Sequence, residues 1–256
     1  MTLKLRNNIF ILGLSLSGIL TLTFLAGAVT LLIRYPRAVL HLQGILPLSL
    51  LNFFILAAGI LILYSFRKTS SPEIFFFFIF LLSLGTESFR LGLLTLSIMD
   101  FPFEFGLLLS RFVYFGRLLG TLALFSAGLF SCGIPYQRLE LTLGSSFLIA
   151  LALASNLPLE SGVQGGDLLY RNSLTTEFTL GLLTVELLGL GNLLYAAKIH
   201  NDRKYYALTL GLALVISGRY LVYSGQGLIP GIAGIAVLTG GTLLFGKKTH
   251  QIYLWF

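Results

Sequence analysis

Six charged side chains lie inside long apolar segments of this chain, and they restrict how those segments can fold. They are Glu87, Arg90, Arg111, Arg117, Glu186 and Arg219. A charged side chain at the centre of a bilayer costs at least ~2.5–3.5 kcal/mol on insertion scales. A chain with this pattern has to satisfy its charges internally, by mutual pairing or around a polar cavity.

The composition excludes an ordinary water-soluble fold. Of the 256 residues, 56% are hydrophobic and 11% are charged, whereas soluble domains carry about 25% charged residues. The longest polar stretch, residues 158–173, is too short to form a soluble domain. The sequence therefore predicts a single all-α polytopic membrane domain over residues 1–256.

Eight apolar runs have the length of about 20 residues that a membrane-spanning helix needs. Pro72 and Pro102 stand at predicted helix starts, where a missing N–H is harmless. Gly133-Ile134-Pro135 ends the fourth helix. Pro230 and several glycines leave open a broken or partly re-entrant last helix. The predicted helices are approximately 9–33, 45–65, 74–99, 103–131, 139–157, 174–197, 206–223 and 226–246.

Basic residues at the helix ends predict the orientation, because cytoplasmic loops are enriched in lysine and arginine. With a cytoplasmic N-terminus, ten basic residues lie at cytoplasmic ends and three at external ends. This asymmetry predicts that both termini are cytoplasmic, in an inner (plasma) membrane. Because the basic residues lie at helix ends, membrane topology also accounts for the net charge of +7, and nucleic-acid binding is not needed to explain it. The ten are Lys4, Arg6, Arg67, Lys68, Arg138, Lys198, Arg203, Lys204, Lys247 and Lys248, and the three are Arg34, Arg37 and Arg171.

Residues 1–28 also have the features of a signal peptide, which is an alternative interpretation of the first helix. Lys4 and Arg6 precede an apolar run that reaches Ala26-Gly27-Ala28. The run continues to Ile33, however, and further spans follow. Cleavage would leave seven helices and would not change the topology of the rest.

The positions of the six charges along their helices divide them into two predicted layers, one in the outer half of the membrane and one near its middle. Glu87 and Arg90 are i,i+3 neighbours on one helix face and can pair. Arg111 and Arg117 project about 120° apart, so Arg117 is expected to pair elsewhere, with Glu186 or Glu87. We predict an outward-facing ligand pocket lined by Arg90, Arg111, Arg219, Tyr114 and Tyr223, and below it an ion-pair network of Glu87, Arg117 and Glu186.

The balance of these charges indicates what the pocket would bind. Four arginines accompany two glutamates in the apolar segments, and arginine stays protonated in proteins. Its guanidinium binds carboxylates and phosphates through paired hydrogen bonds. An anionic lipid or a small-molecule anion is therefore the expected ligand. A purely structural network, with Gly116 and Gly120 allowing close helix approach, is the alternative.

Signatures of metal-dependent or nucleophilic catalysis are absent from the sequence. It contains no HExxH, GxSxG or P-loop motif, and its single cysteine, Cys132, is expected to be an apolar filler. We therefore predict no cofactor and no metal site. Glu87 or Glu186 acting as a general base leaves a lipid-modifying enzyme open. The three histidines, none spaced as a metal ligand, are His41, His200 and His250.

The other aromatic and polar positions are expected to serve contacts with lipid and packing. The Phe75–Phe78 run has no face preference and is expected to meet lipid. Asn52 is expected to form a hydrogen bond between helices. The terminal Tyr253, Trp255 and Phe256 are predicted to anchor the chain at the membrane interface.

Together these features predict a non-enzymatic binding or sensor module that acts through a partner protein. Its layout is similar to the membrane-sensor regions that precede signalling domains in some bacterial proteins, although no motif is shared. Three alternatives stay open. They are a small secondary transporter of an anion or lipid with a helix broken near Pro230, a lipid-modifying membrane enzyme, and a structural subunit of a membrane complex.

Overall fold

The protein is an all-α bundle whose described residues include eight spans long and apolar enough to cross a membrane. A computed structural model describes residues 3–34, 42–69, 71–98, 102–164, 168–223 and 227–253. The predicted polytopic fold is confirmed, whereas the orientation of the bundle in the membrane stays a prediction. The helices are α1 (Leu3–Arg34), α2 (Leu42–Phe66), α3 (Pro72–Leu84), α4 (Phe89–Ile98), α5 (Phe103–Ser131), α6 (Leu139–Ser155), α7 (Thr175–His200), α8 (Arg203–Tyr223) and α9 (Leu228–Tyr253).

The third predicted helix, residues 74–99, is interrupted in the middle of its span. A 3-10 segment, Gly85–Ser88, separates α3 from α4. At the start of α3, the Ser71 hydroxyl accepts a hydrogen bond from the Ile74 N–H at 3.3 Å, and Pro72 occupies the first turn. The 3-10 segment carries Glu87. Short 3-10 stretches within a helix often mark hinges, so one of the predicted buried charges lies at a local change of helical geometry.

The last helix is continuous, in contrast to the broken or re-entrant helix that the sequence left open. α9 runs from Leu228 to Tyr253 without interruption. Pro230 is its third residue, where the backbone N–H has no partner within the helix in any case. The proline therefore starts this helix rather than breaking it.

The polar stretch between α6 and α7 forms a short β-hairpin, for which no strand was predicted from the sequence. β1 (Leu159–Gln164) pairs antiparallel with β2 (Tyr170–Asn172). The hairpin is fastened to α5, where the Tyr114 hydroxyl donates to the Tyr170 carbonyl oxygen at 3.2 Å. The end of the bundle with this hairpin is termed the hairpin face. The opposite end, with Leu3 and Tyr253, is termed the terminal face.

α3 is the central helix of the bundle. Each ring of the Phe75–Phe78 run is 0% exposed, so the prediction that this run meets lipid is wrong. Phe10 of α1, Phe130 of α5 and Phe245 of α9 stack on rings of this run at centroid distances of 3.9, 5.3 and 4.5 Å. A helix that is apolar on every side suits a core position as well as a lipid-facing one.

At the terminal face, Arg6 of α1 closes the end of α2. Its side chain is 1% exposed, and its Nη2 donates to the Phe66 carbonyl oxygen at 2.6 Å. Its Nη1 donates to the carbonyl oxygen of Thr69. Arginine near a helix C-terminus satisfies carbonyl groups that have no partner within the helix. The first helix is thus attached to the core through Arg6 and Phe10.

α8 and α9 pack backbone to backbone through facing glycines. A Cβ atom added to Gly241 of α9 would lie 2.8 Å from the carbonyl oxygen of Gly211 in α8, and one added to Gly218 would lie 2.7 Å from the Leu238 nitrogen. Small residues of this kind allow close approach of helices in membranes. The neighbouring Gly240 faces open space, since a Cβ there meets nothing within 4 Å.

Cys132, just beyond the end of α5, is expected to react slowly with thiol reagents. Its Sγ donates to the Asn192 carbonyl oxygen at 3.1 Å, and burial raises the pKa of the thiol. Because the thiolate is the reactive form, we expect maleimide labelling at pH 7 to be about tenfold slower, or more, than at an exposed cysteine. A Cys132→Ser/Gln137→Cys variant supplies that exposed comparison, and equal labelling rates would contradict the expectation.

Candidate functional site

Glu87 joins two arginines from two helices. Arg117 of α5 binds its carboxylate with both ends of the guanidinium fork, Nε donating to Oε1 at 2.8 Å and Nη2 to Oε2 at 3.2 Å. Arg90 of α4 donates from Nη1 to Oε2 at 3.2 Å. Glu87 is 0% exposed. Arg117 was expected to pair with Glu186 or Glu87, and in the structure its partner is Glu87. The resulting cluster links the 3-10 segment to α4 and α5.

A second buried cluster links α5, α7 and α8. Arg219 of α8 forms an ion pair through Nη2 with Oε1 of Glu186 in α7. The same Nη2 donates to the Thr121 hydroxyl oxygen at 3.1 Å, and Thr121 donates to Glu186 Oε1 at 3.0 Å. Both charged side chains are 0% exposed. Arg219 was predicted to line the outer pocket. The structure pairs it with Glu186 in the ion-pair network instead, because α8 turns this side chain toward α7.

Thr121 was not singled out from the sequence. It follows Arg117 by four residues on α5, so the two side chains share one helix face. That face is buried at both positions. The sequence feature that pointed to Thr121 was a hydroxyl one helical turn from a charged arginine. Threonine is common in membrane helices, so this feature alone does not predict a role in the network.

Tyr223, near the end of α8, connects the two clusters. Its ring centroid lies 4.4 Å from the guanidinium carbon of Arg117 and 5.3 Å from that of Arg219. Tyr114 adds a second ring, 5.7 Å from Arg117. Guanidinium groups at these distances from an aromatic face are attracted by its quadrupole. The glutamates, the three arginines and Tyr223 therefore form one continuous network through the bundle.

Arg111 does not belong to this network. Its side chain is exposed and lies on a different side of α5 from the buried Arg117, in agreement with their angular separation of about 120°. Arg90, Arg111 and Arg219 were expected to share one pocket, but the structure pairs Arg90 and Arg219 with different glutamates and leaves Arg111 on the surface. Helix rotation decides this, and the sequence of one helix does not reveal which neighbours face it.

The second cluster contains unused hydrogen-bonding groups. Among the described residues, Arg219 Nε and Nη1, Glu186 Oε2 and the Tyr220 hydroxyl are buried without a partner. The Tyr220 ring lies 5.4 Å from the Arg219 guanidinium carbon, so these groups are close together. Leaving one buried polar group unpaired costs about 1–3 kcal/mol. Three donors and one acceptor thus remain available within a desolvated part of the bundle.

The buried side chains that could serve as a nucleophile or a base are already engaged. Ser88 donates its hydroxyl to Asn52 Oδ1 at 2.5 Å, which is the interhelical hydrogen bond expected for Asn52. Glu87 is held by two arginines, and Glu186 by Arg219. A nucleophile and a base would have to lie within hydrogen-bond reach of each other, and in the part of the chain that the structure describes neither glutamate forms a hydrogen bond with Ser88.

Comparison with known proteins does not assign a family to this chain. No protein-family model matches it, and no curated protein shows significant sequence similarity to it.

Proposed function

We propose that this protein is a non-enzymatic membrane module that binds an anionic or amphiphilic ligand and acts through a partner protein. The observation that supports it most is the set of buried donors without a partner in the described region, Arg219 Nε, Arg219 Nη1 and the Tyr220 hydroxyl. Arginine retains its positive charge inside proteins. A phosphate or carboxylate group would supply both the acceptor oxygens and the negative charge that suit these donors.

The 3-10 segment offers a route from binding to a change of shape. Glu87 lies on this segment and is held by Arg90 and Arg117. Arg117 shares Tyr223 with Arg219. A ligand that draws Arg219 toward itself would displace Tyr223 and weaken the hold on Glu87, and interrupted helices commonly act as hinges. A ligand with higher affinity for the displaced arrangement would shift the equilibrium toward it.

We further propose that the module lies in an inner (plasma) membrane with both termini cytoplasmic, as the distribution of basic residues indicates. The secondary transporter is less favoured, because α9 continues unbroken past Pro230. The lipid-modifying enzyme is less favoured because Ser88 and both glutamates are engaged in the contacts described above. A structural subunit would be indicated if no anion binds.

Removing only the Tyr220 hydroxyl tests this proposal with a small change to the structure. We expect native mass spectrometry of protein extracted in dodecyl maltoside to show bound phosphatidylglycerol, and Tyr220→Phe to weaken the adduct about two- to tenfold by removing one hydrogen-bond donor. Tyr206→Phe, at an exposed position on the same helix, is the matched control and should bind as wild type does.

A second variant removes the charge itself. Arg219→Gln should abolish the adduct, whereas Arg171→Gln, at an exposed position on the hairpin, should retain it. Unfolding temperatures identify any variant that has lost its fold. Equal adduct levels in wild type, Tyr220→Phe and folded Arg219→Gln would remove the proposal and favour a purely structural network.

A further inference from the structure

A cavity of about 430 Å³ lies at the terminal face, far from the ion-pair network. Glu73 in this cavity precedes Glu87 by fourteen residues, which is about 20 Å along a helix. Small-molecule sites typically have volumes of ~300–1,000 Å³. The lining includes one carboxylate, one imidazole and four aromatic rings, from Glu73, His200, Phe130, Tyr136, Tyr205 and Tyr253.

Glu73 is a buried carboxyl group that has no arginine or lysine partner among the described residues. It is 5% exposed, and its Oε2 accepts hydrogen bonds from the Ser71 hydroxyl at 2.9 Å and the Tyr253 hydroxyl at 2.6 Å. No lysine or arginine in the described ranges forms an ion pair with it. Buried charges in proteins are ordinarily paired. His200, in the same lining, is the neighbouring group whose charge would act on Glu73, but the two share no ion pair in the described ranges, so a cation from outside the chain would give this carboxylate a direct partner.

The rings around this carboxylate suit the same kind of ligand. Tyr205 stacks against His200 with centroids 5.0 Å apart, and His200 Nε2 lies 3.3 Å from the Ser131 carbonyl oxygen. Tyr136 is half-buried in the turn that precedes α6. Aromatic faces attract ammonium groups, and sites built from several rings recognise quaternary and primary amines. Tyr253 hydrogen-bonds Glu73 here. Its predicted role as an interfacial anchor stays a prediction, and Trp255 and Phe256 lie outside the described residues.

We propose that this cavity binds an ammonium group, carried by a small soluble amine or by an amine-bearing lipid headgroup. Glu73 supplies the negative charge, and the rings of Tyr136 and Tyr205 supply cation–π contacts. The site is independent of the anion site proposed above, because it lies at the other end of the bundle and selects the opposite charge. It gives the protein a second ligand, recognised at the terminal face.

Titration calorimetry in dodecyl maltoside, with ethanolamine and tetramethylammonium as probes, tests the soluble source. Native mass spectrometry with phosphatidylethanolamine against phosphatidylglycerol tests the lipid source. We expect Glu73→Gln to weaken binding of the amine about tenfold or more, while it retains an acceptor for Ser71 and Tyr253. Glu140→Gln removes an exposed acid near the same face and should leave the affinity unchanged.

A pair of substitutions at Tyr136 keeps the test decisive if Glu73→Gln does not fold. Tyr136→Phe keeps the ring and should bind as wild type does, whereas Tyr136→Leu removes it and should weaken binding about two- to tenfold. Binding of phosphatidylethanolamine alone would identify a lipid ligand and support the site. Absence of binding by all three amines, unchanged affinity in folded Glu73→Gln, or equal affinities in the two Tyr136 variants would overturn it.

Discussion

Replacing Glu87 with glutamine is expected to destabilise the folded protein by about 3–5 kcal/mol, the usual effect of removing one partner from a buried ion pair. Glu87 is 0% exposed and accepts hydrogen bonds from Arg90 and Arg117. The neutral amide removes the negative charge that both guanidinium groups contact. Thermal unfolding of wild type and Glu87→Gln in one detergent, followed by far-UV circular dichroism, measures the difference.

Two variants show whether charge pairing is the cause. Glu104→Gln removes an exposed acid from the first turn of α5 and should change stability by less than about 0.5 kcal/mol. The double variant Glu87→Gln/Arg117→Gln removes one cation together with the anion, and part of the lost stability should return. If Glu87→Gln unfolds at the wild-type temperature, the buried ion pair does not hold these helices together.

Replacing Gly241 with leucine should be about as damaging, for a steric reason. A Cβ at this position would lie 2.8 Å from both the Gly211 carbonyl oxygen and the Val215 nitrogen. Backbone atoms cannot move aside as the end of a side chain can, so α8 and α9 must separate. We expect a loss of about 3 kcal/mol or more, at or above the upper end of ordinary overpacking, measured as a lower unfolding temperature.

The adjacent glycine provides the control for this substitution. Gly240→Leu adds the same side chain to the same helix at a position that faces open space. Leucine also favours the helix over glycine by less than about 1 kcal/mol, so this variant should be as stable as wild type or slightly more stable. A similar loss in Gly240→Leu and Gly241→Leu would show that the close approach of α8 and α9 is not what limits substitution at Gly241.

Helix positions could be predicted from the sequence because the length of an apolar run is a property of the chain alone. The predicted start of the fourth helix at residue 103 coincides with Phe103 in α5. The 3-10 segment around Glu87 was missed, since Gly85 alone is a weak signal in a membrane helix. The position of Phe75–Phe78 could not be predicted, because a lipid tail and a protein core are equally apolar.

The composition of the site was predictable, but its pairing was only partly so. Glu87 and Arg90 share a helix, and their spacing alone brings them together. The pair formed by Glu186 and Arg219 depends on the rotation of two separate helices, which hydrophobicity does not report when every face is apolar. Thr121 contributes to that pair and carries no charge that would have drawn attention to it.

The attachment of Arg6 to the end of α2 has a consequence for biosynthesis. Arg6 is made at the start of the first helix, at the end predicted to be cytoplasmic, and its partner Phe66 follows 60 residues later. At ~5–20 residues per second, about 3–12 s of translation separate the two. During that interval the nascent first helix carries a cation without its carbonyl partners, and Phe10 lacks the ring on which it stacks. At the predicted cytoplasmic end of the helix this arginine can stay in contact with water during that interval, so we expect the first helix to attach to the core only once the second and third spans have been made, although it is itself the first to be made.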